Sequence, residues 1–409
     1  MKEIINEARQ KFGMTQHDEE LIQVLDIIKK ANAKNFVEIG TSKGGTFYAF
    51  SKVMGEGEKI SVDMLNGNLG GLNDIETQQR NKALQGEIKN SVFITGNSHN
   101  YDIYTELKNI LGNEEIDILF IDGDHSYNGV KKDFEMYKPL VKEGGLIIFH
   151  DIIDTEYHRQ FNCYMSKLWG EIKGEKKEIV TDGVWGGFGV LFNKKVDYEC
   201  YQIYFDNESK KGLNPLFKPY YNRKKSIYFE NDVIKEIYKK LELIDSEYVG
   251  TVSWKFNQKT KFTSGFELEN KIQSTNAASD IIMFTPKNIG LKDCIKRNKE
   301  HYTELYRLSN LIDSLKIYPF QMDKAKWTPS YCNYWIAKKH IYKDYVEKML
   351  LPLYNVFENN SKVKNFCANN FFKYNGKDYH LAPFLMELLM GFYVNHYNIS
   401  NITIEPDNE

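Results

Sequence analysis

Short apolar runs alternate with amphipathic stretches along the first half of the chain. The runs "NFVEIG", "KISVDM", "SVFITG", "IDILFIDG" and "GGLIIFHD" have the length and composition of buried strands. The stretches between them, such as "GTFYAFSKVM" and "IETQQRNKALQGE", repeat apolar residues at helical spacing, as do residues 1–33. This alternation predicts an α/β fold with a doubly wound parallel sheet covered by helices on both faces. We expect "VWGGFGVLFN" at 184–193 to be its last strand.

The pattern changes near residue 195. Beyond it, "YQIYFDN", "EYVGTVSWKF" and "SDIIMFTP" predict strands, whereas "ENDVIKEIYKKLELI" and "IYKDYVEKMLLPLYNVFEN" predict helices. A chain of 409 residues is also longer than one hydrophobic core usually serves. We therefore predict two α/β domains, residues 1–195 and residues 196–409.

The composition and charge of the chain favour some functions over others. The formal net charge of -2 argues against a broad nucleic-acid-binding face. Aromatic residues make up 14% of the chain, and exposed aromatic rings are what a sugar-binding surface needs. The five cysteines are widely spaced and form no CxxC motif, which predicts free thiols in a reducing compartment.

Two stretches bear on the location of the protein. The opening "MKEIINEARQKFG" is polar and lacks the apolar core of a secretion signal. The late stretch "LAPFLMELLMGFYV" is too short to cross a membrane and contains Glu387. We predict a cytoplasmic protein without a transmembrane segment, with peripheral association to a membrane assembly complex and homo-oligomerisation left open.

A glycine-rich turn, "FVEIGTSKGG" at 36–45, follows the first predicted strand. In an open parallel sheet, ligands bind beyond the carboxyl ends of the strands, where the strand order reverses. Gly40 leaves room for a ligand to approach the backbone, and the next helix offers unpaired N–H groups. Asp63 ends the second strand, about where an acid meets ribose hydroxyls in nucleotide-binding sheets. The turn lacks the GxGxxG spacing, so a dinucleotide site and a turn without a ligand both remain open here.

These segments, together with "SVDM", "GNS" and "LFIDGDHSYNGVKKDFEMYKPLVKEGGLIIFHDI", resemble class I S-adenosylmethionine-dependent methyltransferases over roughly residues 30–195. Within that class they are similar to the O-methyltransferases of cephalosporin biosynthesis and macrolide sugars. The resemblance implies a Rossmann-like fold with S-adenosylmethionine as the cofactor. The cofactor-binding residues that it implies are Glu38, Gly40 and Ser42 at the methionine end, Asp63 at the ribose, Asn97 and Ser98 near the adenine, and Gly44 and Asp122 completing the set.

Ionisable side chains follow two strands that should be neighbours, in "IDGDHSY" and "FHDI". We expect these side chains at the same edge as the glycine turn, in larger number than packing requires. Methyl transfer to a hydroxyl needs a base within reach of the acceptor proton, or a divalent cation that lowers the pKa of that hydroxyl. The candidate catalytic residues are Asp122, Asp124, His125 and His150.

The resemblance also implies a metal ion, held by an acid after the earlier strand and a pair of residues after the later one. By position these residues are Asp122, His150 and Asp151. His150 stands where the macrolide-sugar enzymes carry an acid, and imidazole is a less natural Mg²⁺ ligand than carboxylate. A Mg²⁺ site, a Mn²⁺ site and a metal-free site with His150 or His125 as the base all stay open.

Several of these side chains could instead have a structural role that involves no ligand. The Asp124 carboxylate would equally cap a turn. Trp185 and the glycines after it would form either a wall of the acceptor site or a closely packed edge strand. His99 and His158 are predicted to be structural or solvated.

The segments after residue 198 resemble, in their order, bacterial capsule- and lipopolysaccharide-type glycosyltransferases with a GT-A-like nucleotide-sugar fold. The resemblance extends to about residue 400, and "VGTVSWKF" and "YCNYWIAKK" are its distinctive parts. This half has no DxD motif, so a metal-independent transferase and a sugar-binding domain without catalysis both stay open, and its aromatic residues would equally be core residues. The candidate sugar-binding residues are Trp254, Lys255, Lys259, Asp280, Asn333 and Tyr334, with Glu230 and Glu387 as further candidate carboxylates.

Taken together, the two halves predict a bifunctional enzyme of surface-glycan assembly. The first domain would methylate a sugar hydroxyl, and the second would transfer or bind a sugar from a nucleotide-sugar donor. One alternative is a natural-product O-methyltransferase whose second half forms the acceptor pocket or a dimer interface. Another is a non-catalytic protein that binds the cofactor and a glycan.

Overall fold

The computed structural model describes most of the chain as two compact units. The described residues are 1–67, 71–181, 183, 185–223, 226–262, 264–284, 299–322, 324–326, 328, 333–374 and 377–406. The first unit comprises Met1–Lys195 and Gln273–Ala278, and the second comprises Val196–Ile272 and Ser279–Glu409.

The first unit alternates strands and helices as the sequence predicts. Its strands are β1 (Phe36–Ile39), β2 (Lys59–Asp63), β3 (Ser91–Thr95), β4 (Ile116–Ile121), β5 (Val141–His150), β6 (Lys176–Ile179) and β7 (Phe188–Phe192). Its helices are α1 (Lys2–Lys11), α2 (Asp18–Lys30), α3 (Gly45–Val53), α4 (Asp74–Glu87), α5 (Tyr101–Leu111), α6 (Tyr127–Tyr137), α7 (Glu156–Gln160) and α8 (Met165–Glu171), with a 3₁₀ turn at Lys138–Leu140.

The strands form one sheet in the order β3-β2-β1-β4-β5-β7-β6. Neighbouring strands from β3 through β5 pair in parallel, so the prediction of a parallel sheet is confirmed for this part. β7 is the predicted last strand, but it runs antiparallel to β5 and to β6. The sequence analysis missed β6 because "KKEI" carries one apolar residue and gives no alternation to recognise.

Buried aromatic residues hold this sheet to its helices. The Phe36 ring at the start of β1 lies 5.6 Å from the rings of Phe47 and Phe50 on α3. The Phe50 ring lies 5.1 Å from the ring of Phe120 on β4, and all four side chains are fully buried. α3 is therefore fixed against β1 and β4, which orients the glycine turn that joins β1 to α3.

The second unit is also built on a sheet covered by helices. Its strands are β8 (Tyr198–Tyr204), β9 (Lys218–Tyr221), β10 (Tyr248–Ser253), β11 (Ile281–Phe284), β12 (Trp335–Lys338), β13 (Phe371–Tyr374), β14 (Lys377–His380) and β15 (Asn401–Ile404). Its helices are α9 (Asn207–Lys210), α10 (Glu230–Lys239), α11 (Phe256–Thr260), α12 (Gly265–Ser274), α13 (Lys299–Ser314), α14 (Lys339–Tyr345), α15 (Leu351–Asn359), α16 (Ser361–Asn369) and α17 (Leu381–His396), with a 3₁₀ turn at Leu241–Leu243 and a π-helical turn at Val346–Leu350.

The larger sheet of the second unit is mixed, in the order β15-β11-β12-β10-β8-β9. β8 pairs in parallel with β9 and β10, whereas β12 is antiparallel to β10 and β11. β13 and β14 form a separate antiparallel pair. The sequence analysis placed Asn333 and Tyr334 on a strand, but β12 begins one residue later, at Trp335.

No helix among the described residues combines the length and the apolar composition that crossing a membrane requires. The apolar stretch "LAPFLMELLMGFYV" forms most of α17, which buries its side chains in the core of the second unit. Cys163, Cys200 and Cys367 are buried free thiols, as predicted, and Cys294 and Cys332 lie outside the described residues.

Candidate active site

A cavity of about 320 Å³ opens at the carboxyl ends of the central strands of the first unit. Its wall comes from the segments that follow β1, β2, β3 and β4, where β1 lies between β2 and β4 and the strand order reverses. This is the position at which open α/β sheets bind ligands. Of the predicted cofactor residues, Gly40, Ser42, Asp63, Asn97, Ser98 and Asp122 line the cavity, whereas Glu38 and Gly44 do not.

The turn after β1 needs glycine at Gly40. Its φ is +85°, and a Cβ added there would lie 2.2 Å from the carbonyl oxygen of Asp122. Ser42 and Gly44 follow with φ values of +46° and +92°, and α3 begins at Gly45. Three left-handed residues in five positions thus wind the chain tightly between β1 and α3 and keep side chains off the cavity floor.

Glu38 is fully buried behind this turn rather than exposed to the cavity. Its Oε1 accepts a hydrogen bond of 2.6 Å from the Thr46 hydroxyl on α3. Burial raises the pKa of Glu38 to about 8, so the side chain is an uncharged acid at neutral pH. Its position supports a role in holding α3 against β1.

Asp63, predicted to meet ribose hydroxyls, lines the cavity and is already paired. Its Oδ2 contacts Nη1 of Arg80, an almost fully buried residue of α4. The same Nη1 donates a hydrogen bond of 2.6 Å to the carbonyl oxygen of Ser42. Arg80 therefore links the segments that follow β1 and β2. The sequence analysis missed Arg80 because a lone arginine within a polar helix carries no motif.

The segment after β3 is held by a pair that the sequence analysis did not identify. His99 lines the cavity, and its Nε2 lies 3.3 Å from Oδ1 of the fully buried Asp133 on α6. The hydrogen bond to Asp133 raises the pKa of His99. Tyr137 donates a hydrogen bond of 2.8 Å to the carbonyl oxygen of Ser98. These contacts with α6 fix the loop that the resemblance assigns to the adenine.

The predicted acids and histidines converge beside the cavity. Nε2 of His125 lies 3.3 Å from Oδ1 of Asp122, and its Nδ1 lies 3.3 Å from Oδ2 of Asp151. Nδ1 of His150 lies 3.2 Å from Oδ1 of Asp151 and 3.6 Å from Oδ1 of Asp122. These four residues, called the Asp–His cluster below, thus alternate acids with imidazoles. Because Asp122 and His125 also line the cavity, cluster and cavity share a border.

Electrostatics within the Asp–His cluster follow from this alternation. Burial opposes a charge on His150, but the carboxylates of Asp151 and Asp122 outweigh it and raise its pKa to about 10. Burial likewise opposes a charge on Asp151, yet the His150 imidazolium holds the pKa of Asp151 well below its usual range. The cluster therefore keeps two anionic carboxylates next to cationic groups at neutral pH.

Three further residues contact this cluster, and sequence reasoning did not place them there. Nε2 of His158 on α7 lies 3.4 Å from Oδ1 of Asp151, although His158 was expected to be structural or solvated. The Gln16 side chain donates to Oδ2 of Asp122 at 3.4 Å. The sulfur of Cys163 lies within 4.8 Å of ligand atoms of His125 and Asp151. Gln16 lies far in sequence from the strand ends, and His158 and Cys163 follow β5 without any motif, so the sequence pattern does not identify these three as contacts of the cluster.

Asp124 has a clear local role. Its Oδ1 accepts a hydrogen bond of 2.9 Å from the backbone N–H of Ser126, and Ser126 caps α6. This turn-capping geometry is the alternative that the sequence left open. Asp124 is exposed and lines the cavity, but it is not within ion-pair distance of the histidines among the described contacts.

Trp185 packs next to the cluster. Its ring lies 4.5 Å from the ring of His17 and 6.4 Å from the ring of His150. Glu20 on α2 is fully buried and holds the same loop by accepting from the backbone N–H groups of Thr181 and Gly187. Trp185 thus precedes β7 rather than belonging to it.

In the second unit, five of the six candidate sugar-binding residues lie near the carboxyl end of β10. Trp254 and Lys255 follow β10 directly, and the Lys255 ammonium lies 4.9 Å from the Trp254 ring. The Tyr334 hydroxyl contacts the Ser253 hydroxyl at 2.5 Å, and the Lys259 ammonium lies 5.8 Å from the Tyr334 ring.

Two buried asparagines extend this group toward α10. Asn333 donates a hydrogen bond of 3.1 Å to Asn231, the residue after Glu230. Burial raises the pKa of Glu230, with Lys259 opposing the shift. Asp280 is not brought together with these residues. It precedes β11 and pairs with Lys338 at 3.1 Å, at the other end of the sheet. Glu387 lies on α17.

Comparisons with known proteins bear on the first unit. The family model described as "Methyltransferase domain" matches residues 37–152, which is less than half of the chain. This segment carries the cavity and the Asp–His cluster. The first unit is therefore similar to methyltransferase domains, and the match supports a methyltransferase function for it.

Two curated relatives carry names that state no function. The chain is 31% identical over 148 residues to the uncharacterized protein R132 of Acanthamoeba polyphaga mimivirus, covering 34% of this chain and 62% of the relative. It is 24% identical over 195 residues to the uncharacterized protein y4gI of Sinorhizobium fredii, covering 46% of this chain and 19% of the relative. The matches thus span less than two thirds of either relative.

Solved structures of methyltransferases show a distant likeness. An O-methyltransferase from Bacillus cereus in complex with SAH is 16% identical, with a TM-score of 0.35, covering 46% of this chain and 89% of that chain. The O-methyltransferase TomG from Streptomyces achromogenes, in complex with SAM, is 12% identical, with the same TM-score and the same coverage. These identities and TM-scores are too low to assign the fold, so the fold of the first unit is established from its own strand order.

Proposed function

We propose that the first unit is an S-adenosylmethionine-dependent O-methyltransferase. The observation that carries this proposal is the shared border between the glycine-lined cavity and the Asp–His cluster, formed by Asp122 and His125. A methyl donor in the cavity would then lie next to groups able to bind and orient a hydroxyl. The family match over residues 37–152 supports the same class of reaction.

The residues around the cavity fit the cofactor. Its volume of about 320 Å³ suits a small ligand, and glycines at 40, 67, 71, 96 and 123 leave backbone atoms open to contact. When it is bound, S-adenosylmethionine supplies an electrophilic methyl group. Asp63 would accept from the ribose hydroxyls, and Asn97 and Ser98 would lie near the adenine.

The Asp–His cluster also fits a divalent cation. Ligand atoms of Asp122, His150 and Asp151 all lie within 4.8 Å of one another. Asp122 Oδ1 is buried, and its contacts are the imidazoles of His125 and His150 at 3.3 and 3.6 Å, with which a bound cation would compete. Two carboxylates and one imidazole suit Mn²⁺ better than Mg²⁺, and the His150 imidazolium would have to release its proton to bind either ion. A cation here would lower the pKa of an acceptor hydroxyl, whereas without it the chain's own carboxylates and imidazoles would orient that hydroxyl.

Metal binding is tested apart from activity. We expect calorimetry to show binding of Mn²⁺ to the wild-type protein, and we expect Asp151→Asn to weaken it at least tenfold because one carboxylate is lost. Glu3→Gln, an exposed change on α1, serves as the control. Equal Mn²⁺ affinity of the wild type and Asp151→Asn would contradict this part of the proposal.

For the acceptor we propose a sugar hydroxyl, within an enzyme of surface-glycan assembly that also transfers or binds a sugar. The support is the polar group after β10, where Lys259 lies over the Tyr334 ring and acts on Glu230, and where Lys255 lies over the Trp254 ring. A lysine and an aromatic ring suit a nucleotide sugar, and a desolvated carboxyl group suits glycosyl transfer. A natural-product acceptor remains the second candidate, since the family match concerns the first unit alone.

The experiment is methyl transfer from labelled S-adenosylmethionine to a panel of oligosaccharides and small natural products. We expect label on a sugar hydroxyl, and loss of turnover in Asp122→Asn with retained folding. Label on other small molecules only would favour the natural-product candidate. Binding of the cofactor without turnover on any acceptor, unchanged by Asp122→Asn, would favour a non-catalytic protein.

A further inference from the structure

Arg80 joins the segment after β1, which would hold the methionine end of the cofactor, to Asp63 at the end of β2, which would hold the ribose. Its Nη1 contacts Oδ2 of Asp63 and donates to the carbonyl oxygen of Ser42 at 2.6 Å. Nε and Nη2 both donate to Oδ1 of Asn81, at 3.0 and 2.9 Å. The Arg80 side chain is only 4% exposed, so the guanidinium is held on three sides in one position.

α4 places this guanidinium behind the cavity wall, in contact with Asp63 and Ser42, which line the cavity. The helix packs directly on the glycine turn, since a Cβ at Gly44 would lie 2.8 Å from Leu84 and 3.5 Å from the methylenes of Arg80. Its start is fixed by a reciprocal cap between Asn73 and Glu76. The position of Arg80 is therefore set by packing within the protein and needs no ligand to form.

Arg80 engages only one of the two carboxylate oxygens of Asp63 among the described contacts. That contact is with Oδ2, and the Asp63 residue itself lines the cavity, where its carboxylate is within reach of a ligand.

From these contacts we propose that Arg80 is a positioning residue of the cofactor site. It fixes the rotamer of Asp63, so that this carboxylate meets the ribose of the nucleoside without rearrangement, and its bond to the Ser42 carbonyl oxygen anchors the guanidinium for that task. This inference rests on the proposed function, because it takes S-adenosylmethionine as the ligand. Arg80 lies on α4, outside the glycine turn, and would thus be a further residue of the cofactor site. The affinity for the ribose hydroxyls would then depend on the position of α4.

The test compares two ligands by calorimetry, S-adenosylhomocysteine and its analogue that lacks the ribose 2′- and 3′-hydroxyls. We expect the wild type to prefer the complete ligand, and we expect Arg80→Met to lose at least tenfold in affinity for it. The affinity of Arg80→Met for the dideoxy analogue should fall no more than about twofold, because Asp63 makes no contact with that analogue. A merely structural role would weaken both ligands alike.

A second comparison asks whether Arg80 acts through Asp63. Asp63→Asn should lose at least tenfold in affinity for S-adenosylhomocysteine, as Arg80→Met does. The affinity of the double variant Asp63→Asn/Arg80→Met should equal that of Asp63→Asn within about twofold. Lys82→Met, an exposed change two residues along the same helix, is the matched control and should bind as the wild type does. If Arg80→Met does not fold, Arg80→Lys is used instead. We expect Arg80→Lys to bind S-adenosylhomocysteine at least fivefold more weakly than the wild type, and to cause no further loss of affinity when Asp63→Asn is already present.

The outcomes separate the two claims. Wild-type affinity of Arg80→Met for S-adenosylhomocysteine, or additive losses in the double variant, would overturn the role of Arg80 and leave the proposed function standing. No binding of S-adenosylhomocysteine by the folded wild type would overturn both.

Discussion

At Gly40, a single added carbon would reach the cavity wall. In Gly40→Ala the new Cβ would lie 2.2 Å from the Asp122 carbonyl oxygen, a backbone atom that cannot rotate away. The residue also has a φ of +85°, which alanine adopts only with strain. We expect a loss of more than about 1 kcal/mol in the free energy of unfolding and at least tenfold weaker binding of S-adenosylhomocysteine.

Gly144→Ala is the matched control for this prediction. Gly144 has a φ of +71° but no atom within 4 Å of its added Cβ. It therefore carries the backbone strain without the steric conflict, and cofactor affinity should stay at the wild-type value. Equal behaviour of the two variants in urea unfolding and calorimetry would refute the steric argument.

Glu38 predicts a pH dependence of stability. Its pKa is about 8 in the folded protein, compared with an ordinary value of 4.5. Below pH 4.5 both the folded and the unfolded chain bind the proton, whereas between these values only the folded chain does. The stability that Glu38 contributes is thus fully present below pH 4.5 and is lost as the pH rises through 8.

Glu38→Gln removes this titration and keeps an acceptor for the Thr46 hydroxyl. We expect its free energy of unfolding to fall less steeply than that of the wild type between pH 4.5 and 8, by up to about 1.4 kcal/mol per pH unit. Urea unfolding at pH 5, 6, 7 and 8 measures this difference. Parallel pH profiles for the two proteins would show that Glu38 titrates normally in the folded state.

At the scale of elements, α4 depends on its capping box. The Asn73 side chain accepts from the Glu76 N–H at 3.0 Å, and the Glu76 side chain accepts from the Asn73 N–H at 3.1 Å. Asn73→Ala should cost about 0.5–2 kcal/mol of stability. Because α4 carries Arg80, binding of S-adenosylhomocysteine should weaken as well. Asn73→Asp keeps the acceptor and should resemble the wild type in thermal unfolding and calorimetry, and an unaltered Asn73→Ala would contradict the prediction.

The sequence predicts strong elements well and weak ones poorly. β1 and β4 are fully buried apolar runs that end in a glycine or an acid, so their type and the edge they reach follow from the pattern. β6 has one buried residue of four and was missed. The sequence analysis began β12 too early because Asn333 has a left-handed φ of +55°, which interrupts an extended strand and cannot be predicted from the residue pattern.

Some residues of the candidate site could be predicted from the sequence, whereas others could not. Asp122, His125, His150 and Asp151 follow strand ends, so the sheet topology brings them together and the sequence could predict this. Arg80 and His158 come from helices whose packing on the strand ends depends on the complete tertiary fold. Glu38 was predicted to line the cavity, but in a four-residue strand its side chain faces the buried α3 side.

For the molecule as a whole, the first unit is not one continuous stretch of chain. Residues Gln273–Ala278 belong to it, and the Asn276 side chain binds them to the backbone that follows β7. Asn276 Oδ1 accepts from the Lys194 N–H at 2.7 Å, and its Nδ2 donates to the Phe192 carbonyl oxygen at 3.3 Å. Truncation at residue 195 would leave both backbone groups without this partner.

We therefore expect the fragment 1–195 to unfold at a lower temperature than the first unit in the full chain. Asn276→Ala in the full chain should lose about 1–3 kcal/mol of stability, because two hydrogen bonds to the backbone are removed at about 0.5–1.5 kcal/mol each. Asn276→Gly tolerates the left-handed φ of +54° at this position but lacks the side chain, so it should lose stability too. Wild-type stability of Asn276→Gly would assign the effect to backbone strain rather than to the hydrogen bonds.

The central claim is that the glycine-lined cavity of the first unit binds the methyl-donor nucleoside. Calorimetric titration of the folded, full-length protein with S-adenosylhomocysteine tests it most directly. We predict saturable binding with one site per chain, which Gly40→Ala weakens at least tenfold and Gly144→Ala retains. Absence of binding, or binding that Gly40→Ala leaves unchanged, would contradict it.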